Sequence, residues 1–265
     1  MSPGVLKKVF PALFAAILIV SGAPSSHAGD DIAVLAKSRL SPDGTTLDLS
    51  GEKIGPEGAA QLAEMELLSK VKILLLQGNG IKYEGMLSLA KSKYLSGLKV
   101  LDVWGNMLGD EGVMALSQSP ILKDLEILKL WKNEVGEDGV DLMSRSNNFL
   151  RLKTLLLNDN LITPAAASYL ARSKNFPELS TLSLYRNEIG DEGAFALAGS
   201  KNFPNLSYLY LGQNAITDEG AVTIIQSKSF PKLKLLDLAQ NRLGEATLKS
   251  AFKRNKEGKI QIITR

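Results

Sequence analysis

The chain has 265 residues, 45% of them hydrophobic and 22% charged, which is enough apolar material for a sizeable core and excludes a disordered polymer. Its formal charge of +3 falls to +1 once a leader carrying two lysines and no acids is removed, so a basic nucleic-acid-binding surface is not indicated. It has no cysteine, and its single histidine is His27, which removes disulfide frameworks and thiol chemistry at the outset.

The chain begins with a segment unlike the rest. Lys7 and Lys8 precede an apolar run from Val9 to Val20, and a small-residue stretch ends in Ser26, His27 and Ala28. A run of that length is short of the roughly 20 residues needed to span a bilayer and fits a secretory signal peptide over residues 1–28, cleaved after Ala28. The expectation is an exported protein of bacterial type, periplasmic or secreted, with a mature domain over residues 29–265. Its mature part lacks His and Cys, so Ser-His-Asp triads, Cys-His pairs and His-bearing zinc sites are unavailable. No phosphate-cradling Gly-rich loop with Lys-Ser/Thr occurs either, and the expectation is a protein that is not an enzyme and uses no cofactor or metal.

Past the leader, residues 30–40 suit a short capping helix, and a strict period follows. Asn79, Asn106, Asn133, Asn160, Asn187, Asn214 and Asn241 are spaced 27 residues apart, with Glu52 in the same place one step earlier. Around each runs Leu-x-x-Leu-x-Leu-x-x-Asn-x-Ile/Leu, as in Leu125, Leu128, Leu130, Asn133 and Val135. The Leu-x-Leu pair alternates as a strand with one buried face does. Behind it, Val113, Leu116 and Ser117 recur at helical spacing, as do Ala194, Leu197 and Ala198. Thr163-Pro164 marks a helix start, and the acids of Gly190-Asp191-Glu192 and Thr217-Asp218-Glu219 sit where the helix dipole is positive. Leu68, Leu95, Leu122, Phe149, Phe176, Phe203 and Phe230 form one apolar column after the helices. At the far end, Ile260 and Ile263 fall 27 residues after Leu233 and Leu236 and predict a ninth strand.

This frame resembles the leucine-rich-repeat family, and its helical, Gly-bearing version looks like the ribonuclease-inhibitor-like subfamily. About eight units account for nearly the whole mature chain. The resemblance implies an α/β fold, a right-handed solenoid or horseshoe with a parallel sheet on the concave face and helices on the convex face, and a binding role. The chain departs from the subfamily in having no cysteine in the asparagine column and one fixed repeat length.

On such a sheet the residues between and beside the leucines face outward. Both tryptophans and three of the six tyrosines fall in these columns, whereas none of the phenylalanines does. Trp104, Trp131, Tyr185, Tyr208 and Tyr210, with Asp102, Lys129 and Leu156 among them, are therefore the candidate partner-binding residues, because Trp and Tyr dominate interface hot spots. Aromatic residues also favour strands for packing alone, a competing reading. Ile, Leu, Asp and Lys around the aromatics point to a protein partner; a cell-wall glycan or other carbohydrate is the alternative, with no nucleic acid and no membrane span in the mature chain. Amino-terminal sequencing of the exported protein should begin at Gly29; a chain that begins at Met1 would show that the leader is retained.

Overall fold

The computed structural model describes residues 32–265, so the expected signal peptide lies outside the described residues. Nine strands form one parallel sheet in sequence order: β1 (Thr46–Asp48), β2 (Ile73–Leu75), β3 (Val100–Asp102), β4 (Ile127–Lys129), β5 (Thr154–Leu156), β6 (Thr181–Ser183), β7 (Tyr208–Tyr210), β8 (Leu235–Asp237) and β9 (Gln261–Ile263). Each is three residues long. Parallel neighbours need a crossover, and a helix supplies it each time. A capping helix α1 (Ile32–Arg39) precedes β1; α2 (Gly55–Ala63), α3 (Lys82–Lys91), α4 (Gly109–Ser117), α5 (Glu137–Arg145), α6 (Pro164–Arg172), α7 (Gly190–Ala198), α8 (Asp218–Gln226) and α9 (Glu245–Lys256) follow β1 to β8 in turn. The result is an α/β solenoid with an open sheet.

The core is the layer between sheet and helices. Leu47, Leu74, Leu101, Leu128, Leu155, Leu182, Leu209 and Leu236 stack through the in-register sheet, and every one is buried. From the other side come Leu62, Leu89, Leu116, Met143, Leu170, Leu197 and Ile224. The predicted Leu/Phe column is buried throughout, and Phe149 stacks on Phe176 with ring centroids 6.1 Å apart.

The asparagines hold the turns together across repeats. Each Nδ2 donates to a strand-end carbonyl of the preceding repeat, as Asn106 does to Leu76 O at 2.8 Å and Asn133 to Val103 O at 2.9 Å. Each Oδ1 accepts from backbone N–H groups of that same preceding repeat, two of them at Asn106, Asn133, Asn160, Asn187 and Asn241 and one at Asn79 and Asn214. For Asn106 these are Asn79 N at 3.0 Å and Ile81 N at 3.2 Å. Buried backbone groups that the three-residue strands leave unpaired thus find partners. Glu52, where the column starts, instead pairs with Arg39 of α1.

A second ladder runs along the other end of the helices. Ser92, Ser119, Ser146, Ser173, Ser200 and Ser227 each donate their hydroxyl to a carbonyl in the last turn of the preceding repeat's helix, at 2.5–2.6 Å. These carbonyls have no partner within their own helix. The serines also keep the 27-residue period, a signal that attention to the asparagines passed over.

Helix starts follow two patterns. Thr163 caps α6 by accepting from Ala166 N at 3.2 Å, with Pro164 in the first turn, as its sequence predicts. The recurring first-turn aspartates do more than face a dipole, because they reach the start of the next helix. Asp191 Oδ1 accepts from Thr217 N at 2.8 Å and Gly220 N at 3.1 Å, and Asp218 Oδ1 accepts from Gly244 N at 2.8 Å. Gly220 must be glycine for this, since a Cβ there would lie 2.4 Å from Asp191 Oδ1.

The ninth strand is present but shifted by one residue from the predicted period. Leu236 pairs with Ile262, not Ile263, so Ile262 takes the buried place. The cause is Asn255 at the end of α9, whose side chain accepts from Ile262 N at 2.7 Å and donates to Ile262 O at 3.1 Å. A one-residue slip turns every side chain of a strand to the other face.

Two outcomes follow from these contacts. Asn106→Ala should cost about 3 kcal/mol in urea unfolding, because it orphans several buried backbone groups at once, whereas Asn241→Ala, half-buried at the ladder's end, should cost about 1 kcal/mol. Hydrogen bonds from the Thr247 hydroxyl and then Gly244 N–H hold the Asp218 carboxyl below the usual Asp range. A depressed folded pKa gives stability that is complete above the unfolded value of about 4 and is lost as pH falls through the folded value. Amide exchange of α9 should therefore quicken below about pH 4, and Asp218→Asn should flatten that dependence.

Candidate functional site

Because helices cover one face of the sheet, the other is left to side chains at the two ends of each three-residue strand and just past it. The register places the expected site residues on this open face: Asp102 beside Lys129, Lys129 beside Leu156, and Tyr210 beside Ser183 and Asp237. Trp104 and Trp131 come together as neighbours, their ring centroids 6.5 Å apart and their planes at 78°, an edge-to-face pair. Trp104 is 46% exposed, while Trp131 is half-buried beside it. The Trp131 indole N–H is buried without a hydrogen-bond acceptor among the described residues, so packing against Trp104 rather than hydrogen bonding sets the ring's position.

Asp102 and Lys129 form the predicted pair, Nζ to Oδ2 at 2.9 Å. Asp102 also accepts from Gln77 Nε2 at 2.9 Å, and through Oδ1 from Trp104 N at 3.3 Å. It is consequently buried, contrary to the expectation of an outward contact residue. Enclosed between Gln77 and Lys129, it positions the backbone of Trp104 and leaves contact to its neighbours. Leu156 and Tyr210 are likewise buried, and burial holds the Tyr210 phenol well above its ordinary range. Lys129, Tyr185 and Tyr208 are half-buried and keep accessible surface.

Tyr185 lies along the sheet. Its hydroxyl reaches Gln240 Oε1, two repeats away, at 3.0 Å, and its ring crosses Gly212 so closely that a Cβ on that residue would sit 2.8 Å from Tyr185 Cδ2. Glycine at 212 is thus what allows the ring to lie flat. The tyrosines therefore form a second group, Tyr185 just past β6 and Tyr208 and Tyr210 on β7, apart from the tryptophans just past β3 and β4.

The tryptophan group continues over the rim of the sheet, where a groove of about 550 Å³ is lined by Trp104, Met107, Lys132, Glu134, Asp159 and Leu161 with Gly78, Gly105 and Asn160. Met107 and Leu161 are among the most exposed large apolar side chains of the described residues. Sequence reading by outward strand columns missed them because they follow the asparagine. Their own column carried the signal: Lys53, Gly80, Glu134, Glu188, Ala215 and Arg242 occupy the other places, so a Met and a Leu stand out.

Among the described residues no group of acids, histidines or cysteines is arranged to hold a metal ion, and no helix is long and apolar enough to cross a membrane. What the arrangement presents is a surface of exposed aromatic and aliphatic groups with charges at its edge.

An open parallel sheet backed by one helix per unit, with an asparagine ladder in its turns, defines a leucine-rich-repeat solenoid. The chain carries such repeats by sequence as well: the Leucine Rich repeat family model matches residues 68–90, 97–117, 178–198 and 204–224. Among curated proteins no sequence matches. Among solved structures, the chain is similar to the LRR ectodomain of the Arabidopsis receptor kinase HAESA in complex with an N-terminally extended IDA peptide hormone, at 16% identity and a TM-score of 0.46. That match covers 82% of this chain and 33% of the ectodomain, so the chain spans about a third of that structure's length. It is also similar to a chain of the yeast Rad7 and Elc1 complex, at 15% identity, a TM-score of 0.38 and coverage of 98% and 91%. A third likeness is to a chain of the octameric complex of Latrophilin 3, Unc5D and FLRT2 (LRR), at 20% identity, a TM-score of 0.43 and coverage of 79% and 73%.

Proposed function

We propose that this chain is an exported, non-enzymatic binding protein, periplasmic or secreted, that grips a protein partner on the open, concave face of its sheet. The observation that carries the reading is the edge-to-face Trp104–Trp131 pair. It has an exposed ring at its head and is continuous with Met107 and Leu161 on the rim. Large rigid aromatics beside aliphatic groups, bordered by Lys129, Lys132, Glu134 and Asp159, match the composition of protein interfaces, with an apolar centre and a charged rim. Direct contact falls to Trp104, Trp131, Tyr185, Tyr208 and Lys129, while Asp102, Leu156 and Tyr210 support them from beneath. A glycan would favour aromatic rings that present open faces side by side. Here the planes cross at 78° and one indole is half-buried, which favours a protein.

The test is affinity capture from the native envelope and culture medium with wild type, Trp104→Ala, Trp131→Ala and Arg172→Ala side by side. Arg172 is exposed on α6, on the helical side of the solenoid. Either tryptophan variant should weaken capture about thirtyfold, the equivalent of about 2 kcal/mol, with Arg172→Ala near wild type. Matching melting temperatures are the control, since a cross-strand aromatic pair also supports the sheet. Unchanged capture by both tryptophan variants together with loss in Arg172→Ala would overturn the assigned face.

A further inference from the structure

A small net charge conceals a division of charge between the two edges of the solenoid. Each helix runs back toward the start of the next strand. The stretches from helix end to strand start therefore all lie along one edge, and those from strand end to helix start along the other. The first edge comprises residues 62–72 and their equivalents at each 27-residue step as far as 251–260, and it carries nineteen basic and six acidic side chains. The second, residues 51–58 and their equivalents as far as 240–247, carries five basic and fifteen acidic. One edge is thus strongly positive and the other strongly negative.

Helix dipoles explain only part of the basic edge. They favour cations in the last turn of a helix and fade within it, which covers Lys91, Arg145 and Arg172. Thirteen of the nineteen basic side chains lie past the end of the preceding α-helix. Ion pairs neutralise the middle of the edge, where Asp124 and Glu126 meet Lys99, Arg151 and Lys153. The later stretches, residues 170–180, 197–207, 224–234 and 251–260, hold ten basic and two acidic side chains. Lys174, Lys201 and Lys228 stand there one period apart, exposed, and none has an ion pair among the described residues. An apolar column accompanies them: Leu150, 42% exposed, is followed one period at a time by Pro177, Pro204 and Pro231, all exposed. Strict spacing with in-register strands brings every turn to the same level, so no loop stands above this edge.

We propose that the basic edge is a docking surface for an anionic phospholipid bilayer. The lysines reach headgroup phosphates while Leu150 and the prolines lie against the apolar layer beneath, and a level edge lets successive turns touch one plane together. An acidic polysaccharide or a nucleic acid would satisfy the lysines and leave the apolar column with nothing to enter. Repulsion turns the acidic edge away from the bilayer. The sheet face then stands upright on the membrane, and the groove around Met107 and Leu161, which lies toward the acidic edge, stays open to a partner.

The test is co-sedimentation of the purified exported protein with vesicles of phosphatidylglycerol and phosphatidylcholine in equal parts, and with vesicles of phosphatidylcholine alone. Wild type should pellet with the first and not the second, and should be released as salt is raised. Lys174→Gln, Lys201→Gln and Lys228→Gln together should weaken binding about a hundredfold, at about fivefold per cation. The same loss of charge on the other edge, through Lys53→Gln, Lys82→Gln and Arg242→Gln, should leave binding near wild type. All six side chains are exposed, so both triple variants should melt as wild type does. Leu150→Ser should weaken binding about fivefold. A wild type that does not pellet with the anionic vesicles overturns the proposal, as does equal binding to the neutral ones, the mark of a retained apolar leader. Substitutions on the acidic edge that weaken binding as much as those on the basic edge would overturn the assigned edge. Unchanged binding by Leu150→Ser would overturn the bilayer in favour of a soluble polyanion. Trp131→Ala should pellet as wild type does, so this result and capture of a partner on the sheet face succeed or fail separately.

Discussion

The asparagine amide in the turn of each repeat after the first is the interaction on which the rest of this solenoid depends. Strands of three residues pair few backbone groups, and the chain must then turn beneath the surface toward a helix on the far side of the core. Peptide groups in such a turn have no regular partner, and a buried unpaired group costs about 1–3 kcal/mol. One amide in each later repeat answers this by donating to the preceding repeat's strand-end carbonyl and accepting from one or two of its N–H groups, as Asn106 does for Leu76, Asn79 and Ile81. No repeat can satisfy its own turn, so each requires its successor. The serine hydroxyls impose the same requirement at the helix ends. Cooperativity in the stack therefore arises from directional contacts as well as from the leucine core.

Locking each turn to the next frees the open face from structural duty. The leucines, asparagines and serines recur with little variation, whereas the middle place on that face runs from Asp102 to Lys129 to Leu156 to Ser183 to Tyr210. Where the sequence departs from its own repeat, chemistry appears: an edge-to-face tryptophan pair, a tyrosine laid across Gly212, and a Met and a Leu on a rim otherwise occupied by charged and small residues.

The sequence alone determined the architecture. A 27-residue period in leucine, asparagine and the Leu/Phe column dictates stacked units, since the spacing leaves room for one strand, one turn and one helix, and the apolar faces of each can be buried only against another unit. It also placed Trp104 beside Trp131 and Lys129 beside Asp102, because in-register parallel strands set residues one period apart side by side. Tertiary structure alone decided what depends on side-chain reach. Asp102 is enclosed by Gln77 and Lys129, the Asp191 and Asp218 carboxylates cross to the following helix, and Asn255 shifts β9 so that Ile262 replaces Ile263 in the core. A period specifies which residues are neighbours in one dimension. Whether a neighbouring side chain covers a group, bonds to it or leaves it open depends on distances of an ångström or two in the other two.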